Sequence, residues 1–501
     1  MKKSFLYRIN TVVLAAGIVF STFSCEDLLE IKPETAIDGA TALNSKSAIE
    51  AAINAAYVPL KSLPLYGNRL ITLPEALADN GRATNKSGRL LNEASNIRGV
   101  ANHFTHWATS YNAIQRINLV LEAIPGLADP TVSQTGKDAY IGELKFLRAL
   151  YHFDLVRSYA YIPGAVVDAK NFGGVPVITQ TFKSGPDAAA FLPARASLDE
   201  TYNAIYADLD EAVAKLGAFA NAGKASKVAA QALYSRVALY RRDYPKVIEM
   251  STAVIDARGA TLTTPANYLA GWTAATNPET IFHVAFQTAA EGNGVNESLQ
   301  TAFTTLVTRG NRTQTGGFGD LVPTPTLLSD LGITVAGNGT ATAAITARSE
   351  DVRNLLFEVG TAGRGNPWVE ATKFIGKNGA INLDNVPVLR ISEMYLNRAE
   401  AYANTAGGLV NALADVNTIR TNRGLLPSVA VDQALKNEIL LQRRLEFAFE
   451  GHRFFDLKRL GMDISKPALG TTVAFTEDVI LPAIPTIDVN GNPNLKQNSG
   501  Y

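Results

Sequence analysis

The sequence predicts a mainly α-helical protein, in which helix pairs of the tetratricopeptide type carry large, irregular, loop-rich insertions and little β structure. First, apolar residues recur three and four positions apart in many separate segments, which is the helical period. Second, residues 225–255 and 391–419 each read as two helices, and small residues such as Ala230 and Ala238 let partner helices approach closely. Third, residues 268–356 are rich in Thr, Gly, Asn and Pro and show few helical stripes.

Four helical stripes precede the first of these two-helix units. The first two stripes end at Pro59 and Pro125, because proline cannot continue a helix. The unit itself breaks where Arg-Asp-Tyr-Pro occupies residues 242–245, and a strand-like run follows at residues 280–286. We expect the four earlier helices over residues 48–57, 107–124, 140–159 and 198–216.

Residues 438–459 carry many charges and are predicted to begin with a core helix that runs as far as Gly451. Leu441, Leu445 and Phe449 lie four apart, and Gly451 permits the helix to stop. Buried charges are normally paired, because an unpaired charge is costly to remove from water. We therefore expect a partly buried ion-pair network among Arg443, Arg444, Glu446, Glu450, Arg453, Asp456, Lys458 and Arg459.

Glu446 and Glu450 allow a second interpretation, as the two carboxylates of a glycoside hydrolase. Neighbouring arginines would lower both pKa values, whereas a general acid needs a raised one. The ion-pair interpretation is therefore favoured. We find no phosphate loop, no nucleophile elbow and no zinc-protease motif in the chain. His103 and His106 could share a helical face, but no third ligand lies near them in sequence, so neither a metal nor a cofactor is predicted.

Residues 1–24 have the pattern of a secretory signal. A basic start and an apolar run of about half a membrane span lead to Cys25, the single cysteine of the chain. A lone cysteine at this place suits lipid attachment to a new N-terminus, and the following residues to 44 read as a polar tether. The formal net charge is zero and the basic residues are scattered, so nucleic acid is not a predicted partner.

Several phrases resemble the SusD/RagB family of Bacteroidetes surface lipoproteins. The most specific is RRLEFAFEGHRFFDLKR at residues 443–459, although Gln442 stands where most relatives have Glu. FGGVPV at 172–177, PVLRISEMYLNRAEA at 387–401, NTIRTNRG at 417–424 and the tail from residue 492 are also similar to the family.

The resemblance implies a SusD-like α superhelix that docks as a lid on a SusC-type, TonB-dependent transporter of the outer membrane. It also implies an acyl chain such as palmitate on Cys25, a surface facing the cell exterior, an oligosaccharide ligand and no catalysis. The expected regions are a signal at 1–24, a tether at 25–44, an N-terminal helical region at 45–260, a loop-rich ligand-binding insertion at 261–386 and a C-terminal helical region at 387–501.

The candidate ligand contacts are aromatic or basic. Trp107 lies on a helical stripe and is expected in the core, whereas Trp272 and Trp368 lie in loop-rich regions where they could stack on sugar rings. Starch-binding relatives place aromatic residues in the loop after the first helix, but here residues 79–102 contain no Phe, Tyr or Trp. That loop offers basic side chains, which favour an acidic or sulfated glycan, or a peptide. They are Arg82, Lys86, Arg89 and Arg98.

Three alternatives stay open at this point. The chain could import peptides, as RagB-like proteins do. It could be an exported glycan hydrolase, or a scaffold that binds only protein through the concave surfaces of its helix pairs.

Overall fold

A computed structural model describes residues 43–182, 184–259, 262–292 and 294–501. The predicted signal, Cys25 and nearly all of the tether lie outside these residues. Within the described part, seventeen α-helices alternate with ten short strands. This architecture confirms the mainly α-helical prediction.

The helices are as follows: α1 Lys46–Tyr57, α2 Arg69–Ala76, α3 Leu91–Ala94, α4 Trp107–Ala123, α5 Gln134–Tyr159, α6 Gly185–Ala190, α7 Leu198–Lys215, α8 Lys227–Arg241, α9 Tyr244–Arg258, α10 Pro265–Gly271, α11 Leu299–Phe303, α12 Pro325–Asp330, α13 Ile391–Ala403, α14 Leu409–Asn422, α15 Asp432–Glu446, α16 Arg453–Leu460 and α17 Thr486–Gly491.

The strands form five antiparallel pairs in the described chain: β1 Gly81–Ala83 with β3 Leu321–Pro323, β2 Thr280–Val284 with β8 Val386–Arg390, β4 Ile333–Ala336 with β5 Ala344–Arg348, β6 Phe357–Val359 with β7 Val369–Ala371, and β9 Ile464–Lys466 with β10 Thr471–Val473. The predicted strand at residues 280–286 is therefore confirmed as β2.

The long helices pack as successive neighbours. Helix α5 lies between α4 and α7, α8 pairs with α9, and α13 pairs with α14. Helix α9 also packs directly on α13, although residues 259–390 separate them along the chain. That long segment is therefore an insertion whose two ends return to one continuous helical framework.

The break between α8 and α9 forms as the sequence predicts. Arg242 adopts a left-handed conformation with φ of 61° and ends α8. The Asp243 side chain then accepts a hydrogen bond from the Lys246 amide, and Pro245 occupies the first turn of α9. The turn chemistry thus fixes the close, antiparallel packing of this pair.

The core helix predicted to run as far as Gly451 ends earlier. Helix α15 ends at Glu446, and Phe449 and Gly451 then take positive φ values of 63° and 82° before α16 begins at Arg453. A Cβ at Gly451 would lie 2.2 Å from the Leu70 carbonyl oxygen. The turn therefore brings the backbone against α2 so closely that only glycine fits.

No helix of the described residues is both long enough and apolar enough to span a bilayer. Likewise, the described ranges contain no cluster of three or more His, Cys, Asp or Glu side chains that could hold a metal ion.

Candidate functional site

The charged residues of α15 and the following turn form a buried ion-pair network. Glu446 accepts hydrogen bonds from Arg390 at 2.9 Å and from Arg423 at 2.8 Å. Burial alone would raise the pKa of Glu446, but the guanidinium groups of Arg423 and Arg390 hold it well below its usual range. A carboxyl group kept ionised in this way cannot act as a general acid, which confirms the ion-pair interpretation.

Further pairs extend this network. Glu450 binds Lys373 at 2.6 Å and Arg390 at 2.8 Å. Gln442, a neutral amide, accepts a hydrogen bond from Arg353 at 2.7 Å, so it belongs to the network without carrying a charge. Among the other predicted members, Asp456 pairs with Arg443 and Arg459, Arg459 also pairs with Glu400, and Arg444 and Arg453 pair with Asp79. The prediction is wrong for Lys458, whose ammonium group donates to the Arg157 and Ser158 carbonyl oxygens instead of to a carboxylate.

The two histidines are satisfied within the core. His106 bonds the hydroxyl groups of Ser110 and Ser158, and His103 bonds the Val479 carbonyl. Burial lowers the pKa of each to about 3, so both are neutral at physiological pH.

Two of the predicted ligand contacts lie in the interior. The ammonium group of Lys86 pairs with Glu370 at 3.0 Å, and its side chain is only 5% exposed. Trp272 is 6% exposed and packs against Phe374 and the ammonium group of Lys373. Neither side chain offers a surface to a ligand, so we leave both out of the candidate site; Trp107 is buried as expected.

Arg98 is exposed but belongs to another surface. Its guanidinium group lies 3.4 Å from an Asp478 carboxylate oxygen and 5.8 Å from the centre of the Tyr501 ring. Arg98 therefore contacts the C-terminal segment.

Arg82 and Trp368 come together, although 286 positions separate them in the numbering. The Arg82 guanidinium carbon lies 4.5 Å from the centre of the Trp368 ring, and both side chains are half-buried. A guanidinium group over an aromatic face is attracted by the ring and keeps its in-plane N–H groups available.

A second contact of this type lies on the same segments. Phe318 is half-buried, with Arg89 at 5.2 Å and the exposed Arg364 at 4.3 Å from its ring centre. Arg89 also pairs with Glu297 at 2.9 Å. We call the set of Arg82, Arg89, Phe318, Arg364 and Trp368 the arginine–aromatic surface.

Short β-strands fix the positions of the segments that carry Arg82 and Trp368. Strand β1 carries Arg82 opposite Val322 of β3, and β3 packs against β7, which follows Trp368 directly. The Trp368 carbonyl accepts the Gly360 amide at 2.8 Å. Behind the indole ring, a Cβ at Gly339 would lie 2.4 Å from the nearest ring carbon, so the ring rests on bare backbone.

Two arginines of this surface have guanidinium N–H groups that are available to a ligand. Among the described residues, the guanidinium groups of Arg82 and Arg364 make neither an ion pair nor a hydrogen bond with a protein acceptor. Lys86, Arg148, Arg236 and Arg390, by contrast, all pair with carboxylates. The surface can therefore receive carboxylate or sulfate oxygens beside an aromatic face.

Sequence reasoning found Arg82, Arg89 and Trp368 but missed Phe318 and Arg364. Phe318 stands in the run Gly-Gly-Phe-Gly at 316–319, and Arg364 stands between Gly363 and Gly365. An aromatic or basic residue flanked by glycines in a long irregular segment is a usable signal, because such loops commonly carry function.

Two family models match this chain, one in its N-terminal half and one in its C-terminal part. The model described as "SusD family" matches residues 364–501, and the one described as "Starch-binding associating with outer membrane" matches residues 27–239. SusD-like protein P38 of Formosa agariphila is 24% identical over 535 residues, which cover 98% of each chain. Starch-binding protein SusD of Bacteroides thetaiotaomicron is 32% identical over 126 residues, 23% of this chain and 22% of that protein.

The solved structures agree with the sequence matches. The crystal structure of a putative sugar binding protein from Bacteroides vulgatus has a TM-score of 0.76 and 26% identity, and the match covers 92% of this chain and all of that one.

Proposed function

Because this chain belongs to the SusD/RagB family, we propose that it captures oligosaccharides at the outer membrane and delivers them to a SusC-type, TonB-dependent transporter. Carbohydrate binding and outer-membrane association are supported by the descriptions of the matched family models and relatives. Delivery, the transporter partner, lipid attachment at Cys25 and an orientation toward the cell exterior are our proposal.

The residues of the arginine–aromatic surface indicate the chemical class of the ligand. Trp368 and Phe318 supply ring faces, which suit the apolar faces of sugars. Arg82 and Arg364 supply guanidinium donors that have no acceptor within the described part of the chain, and such donors suit anionic substituents. We infer that the ligand is a glycan that bears carboxylate or sulfate groups.

Binding measurements on single-residue variants test this proposal. Trp368→Ala and Phe318→Ala are each expected to weaken the binding of a uronate-rich oligosaccharide at least tenfold, because stacking of a ring face is lost. Phe182→Ala is the matched control, since Phe182 is also a half-buried aromatic residue but packs against Phe191. Equal affinity in all three variants and the wild type would contradict the site.

The ligand class and the partner need separate tests. A peptide library offered beside the oligosaccharides distinguishes the peptide-import alternative, for which peptides bind and sugars do not. When the full-length chain is isolated from outer membranes, a TonB-dependent transporter is expected to copurify in stoichiometric amount. If no transporter copurifies, the proposed delivery role fails and only ligand binding remains.

We propose a binding protein without catalytic activity. Glu446 is held ionised and Glu450 is bound by Lys373 and Arg390, so this pair supplies no proton donor. A reducing-sugar assay on acidic polysaccharides is expected to show no release above the background of buffer alone.

A further inference from the structure

A cavity of 160 Å³ lies between the end of α2, strand β1 and the hairpin of β9 and β10. Its lining includes two cationic side chains, one carboxylate, two serine hydroxyl groups and an apolar rim: Arg82, Lys466, Asp79, Ser95, Ser465 and Leu469. A cavity of about 150 Å³ is large enough to bind a benzene molecule. It can therefore hold a small polar group of a larger molecule.

Lys466 is the chemically unusual part of this lining. Lys466 is the last residue of strand β9, and it is 5% exposed. The ammonium group donates to the carbonyl oxygens of Ala76 at 2.7 Å and Ala78 at 2.6 Å. An ammonium group has three donors, and among the described residues no carboxylate lies within ion-pair distance of this one.

The surrounding charges leave Lys466 without a full counter-ion. Burial lowers its pKa to about 7, while the negative charge of Asp79 acts in the opposite direction. The Asp79 carboxylate, however, is already bound by Arg453 at 2.6 Å and approached by Arg444 at 3.6 Å. Asp79 also lines the cavity, but Arg453 neutralises its charge, so Arg82 and Lys466 leave an excess of positive charge that an anion would neutralise.

Lys458 provides the internal comparison. It is also buried, and it also donates to two backbone carbonyls, those of Arg157 and Ser158, rather than to a carboxylate. Lys458 is not part of the lining of this cavity. The two lysines therefore share an environment but differ in whether a ligand can reach the open space beside them.

We propose that this cavity is a binding site for a carboxylate or sulfate group of a sugar, which pairs with Lys466 and Arg82. The inference rests on the proposed glycan-binding function for the sugar part of the ligand. Arg82 lines the cavity and also stacks on Trp368, so an acidic residue in the cavity would be continuous with a chain lying on the arginine–aromatic surface.

Calorimetric titration of the wild-type protein with glucuronate, glucose 6-sulfate and glucose tests the site. We expect glucuronate or the sulfate to bind and glucose not to bind, and the stronger of the two anions identifies the group. Because the pKa of Lys466 is about 7, binding at pH 7 should take up about half a proton, seen as a dependence of the measured heat on the buffer. Equal binding of glucose, or binding without proton uptake, would overturn the proposal.

Two variants keep the test independent of folding. Lys466→Met should weaken glucuronate binding at least tenfold and abolish proton uptake. Lys458→Met should change the stability of the fold but alter neither the affinity for glucuronate nor the proton uptake. Leu469→Trp fills the rim from a side chain that is 50% exposed, and it should block binding while Lys466 stays in place. Unchanged glucuronate binding in both cavity variants would show that the anion binds elsewhere.

A third variant separates this site from the proposed function. Phe318→Ala removes a ring of the arginine–aromatic surface that packs against Arg89 and Arg364 rather than Arg82, so it should leave proton-linked glucuronate binding largely intact. If it abolishes oligosaccharide binding but spares glucuronate, both sites stand. If oligosaccharides never bind while glucuronate does, the cavity stands and the proposed capture function fails.

Discussion

Arg390 donates to Glu446 at 2.9 Å although 56 positions separate the two residues. Arg390 ends strand β8 and Glu446 ends helix α15, and both are at most 2% exposed. The same guanidinium group also binds Glu279 and Glu450. One buried arginine thus joins three segments of the chain, which makes the removal of any partner costly.

Glu450→Ala is expected to lower the free energy of unfolding by about 3 to 5 kcal/mol, because it leaves Lys373 buried without its carboxylate partner. Glu249→Ala is the control, since Glu249 pairs with Lys246 while 57% exposed and should cost about 1 kcal/mol or less. Chemical denaturation of both variants checks this. Equal midpoints would show that the buried network contributes little.

Gly451→Ala is expected to destabilise the fold by at least about 2 kcal/mol, since it combines a positive φ with a Cβ directed at the Leu70 carbonyl. Gly470→Ala has a similar φ of 65° but no atom within 4 Å of the new Cβ, so it should cost only about 1 kcal/mol. Both variants strain the backbone, but only Gly451→Ala also crowds a neighbouring atom. The difference between their melting temperatures therefore measures the cost of that steric contact. The prediction fails if the two variants melt together.

Glu75 should make stability depend on pH. Burial raises the pKa of Glu75 to about 7, while hydrogen bonds from Asn80 and the Gly451 amide oppose this. The folded state therefore keeps a proton that the unfolded state loses near pH 4.5, so stability falls as pH rises between about 4.5 and 7. Glu75→Gln should reduce the fall of the melting temperature across this range, and Asp384, whose pKa burial also raises to about 7, should account for part of the remaining slope. A slope equal to that of the wild type would assign the pH dependence to another group.

The arginine–aromatic surface should bind acidic glycans in a salt-dependent way, because exposed charges are screened within about 8 to 10 Å at ordinary ionic strength. The double variant Arg82→Ala, Arg364→Ala is expected to lose at least about tenfold in affinity for a uronate oligosaccharide and most of the salt dependence. Arg98→Ala, which removes an arginine paired with Asp478, is the matched control. Salt-independent binding to a neutral glycan would reject this prediction.

Cys25→Ser should abolish labelling of the protein by a fatty-acid probe in its native host and release it from the outer-membrane fraction. The reason is that a lipid on Cys25 is the proposed anchor. Ser24→Ala, next to it, should keep the label. Equal labelling of the Cys25 variant would move the anchor elsewhere.

Helical period was enough to predict the framework, because apolar residues recur at that period in each long helix, even in α5, which is buried on every side over residues 146–159. It also showed that the charges of α15 had to be paired. The partners themselves could not be predicted, since Glu279, Lys373, Arg390 and Arg423 lie in other segments and carry no periodic signal.

The candidate site was predictable only in part for the same reason. The sequence shows that Lys86 is charged, but not that Glu370, 284 positions away, neutralises it in the interior. It likewise shows Trp368 as an aromatic residue in a loop, but the stacking of Arg82 on its ring depends on the pairing of β1 with β3.

The buried network limits how this protein can diversify. Glu279 and Lys373 belong to the long insertion, yet they hold Arg390, Arg423 and Glu450 of the C-terminal helical region. The insertion therefore cannot be replaced freely by that of a relative. A replacement must carry compatible charges at the positions of Glu279 and Lys373, because otherwise buried charged groups lose their partners. Exposed positions such as Arg364 are free of that constraint, so new ligand preferences should arise by substitution at the surface of the loops rather than by swapping them whole.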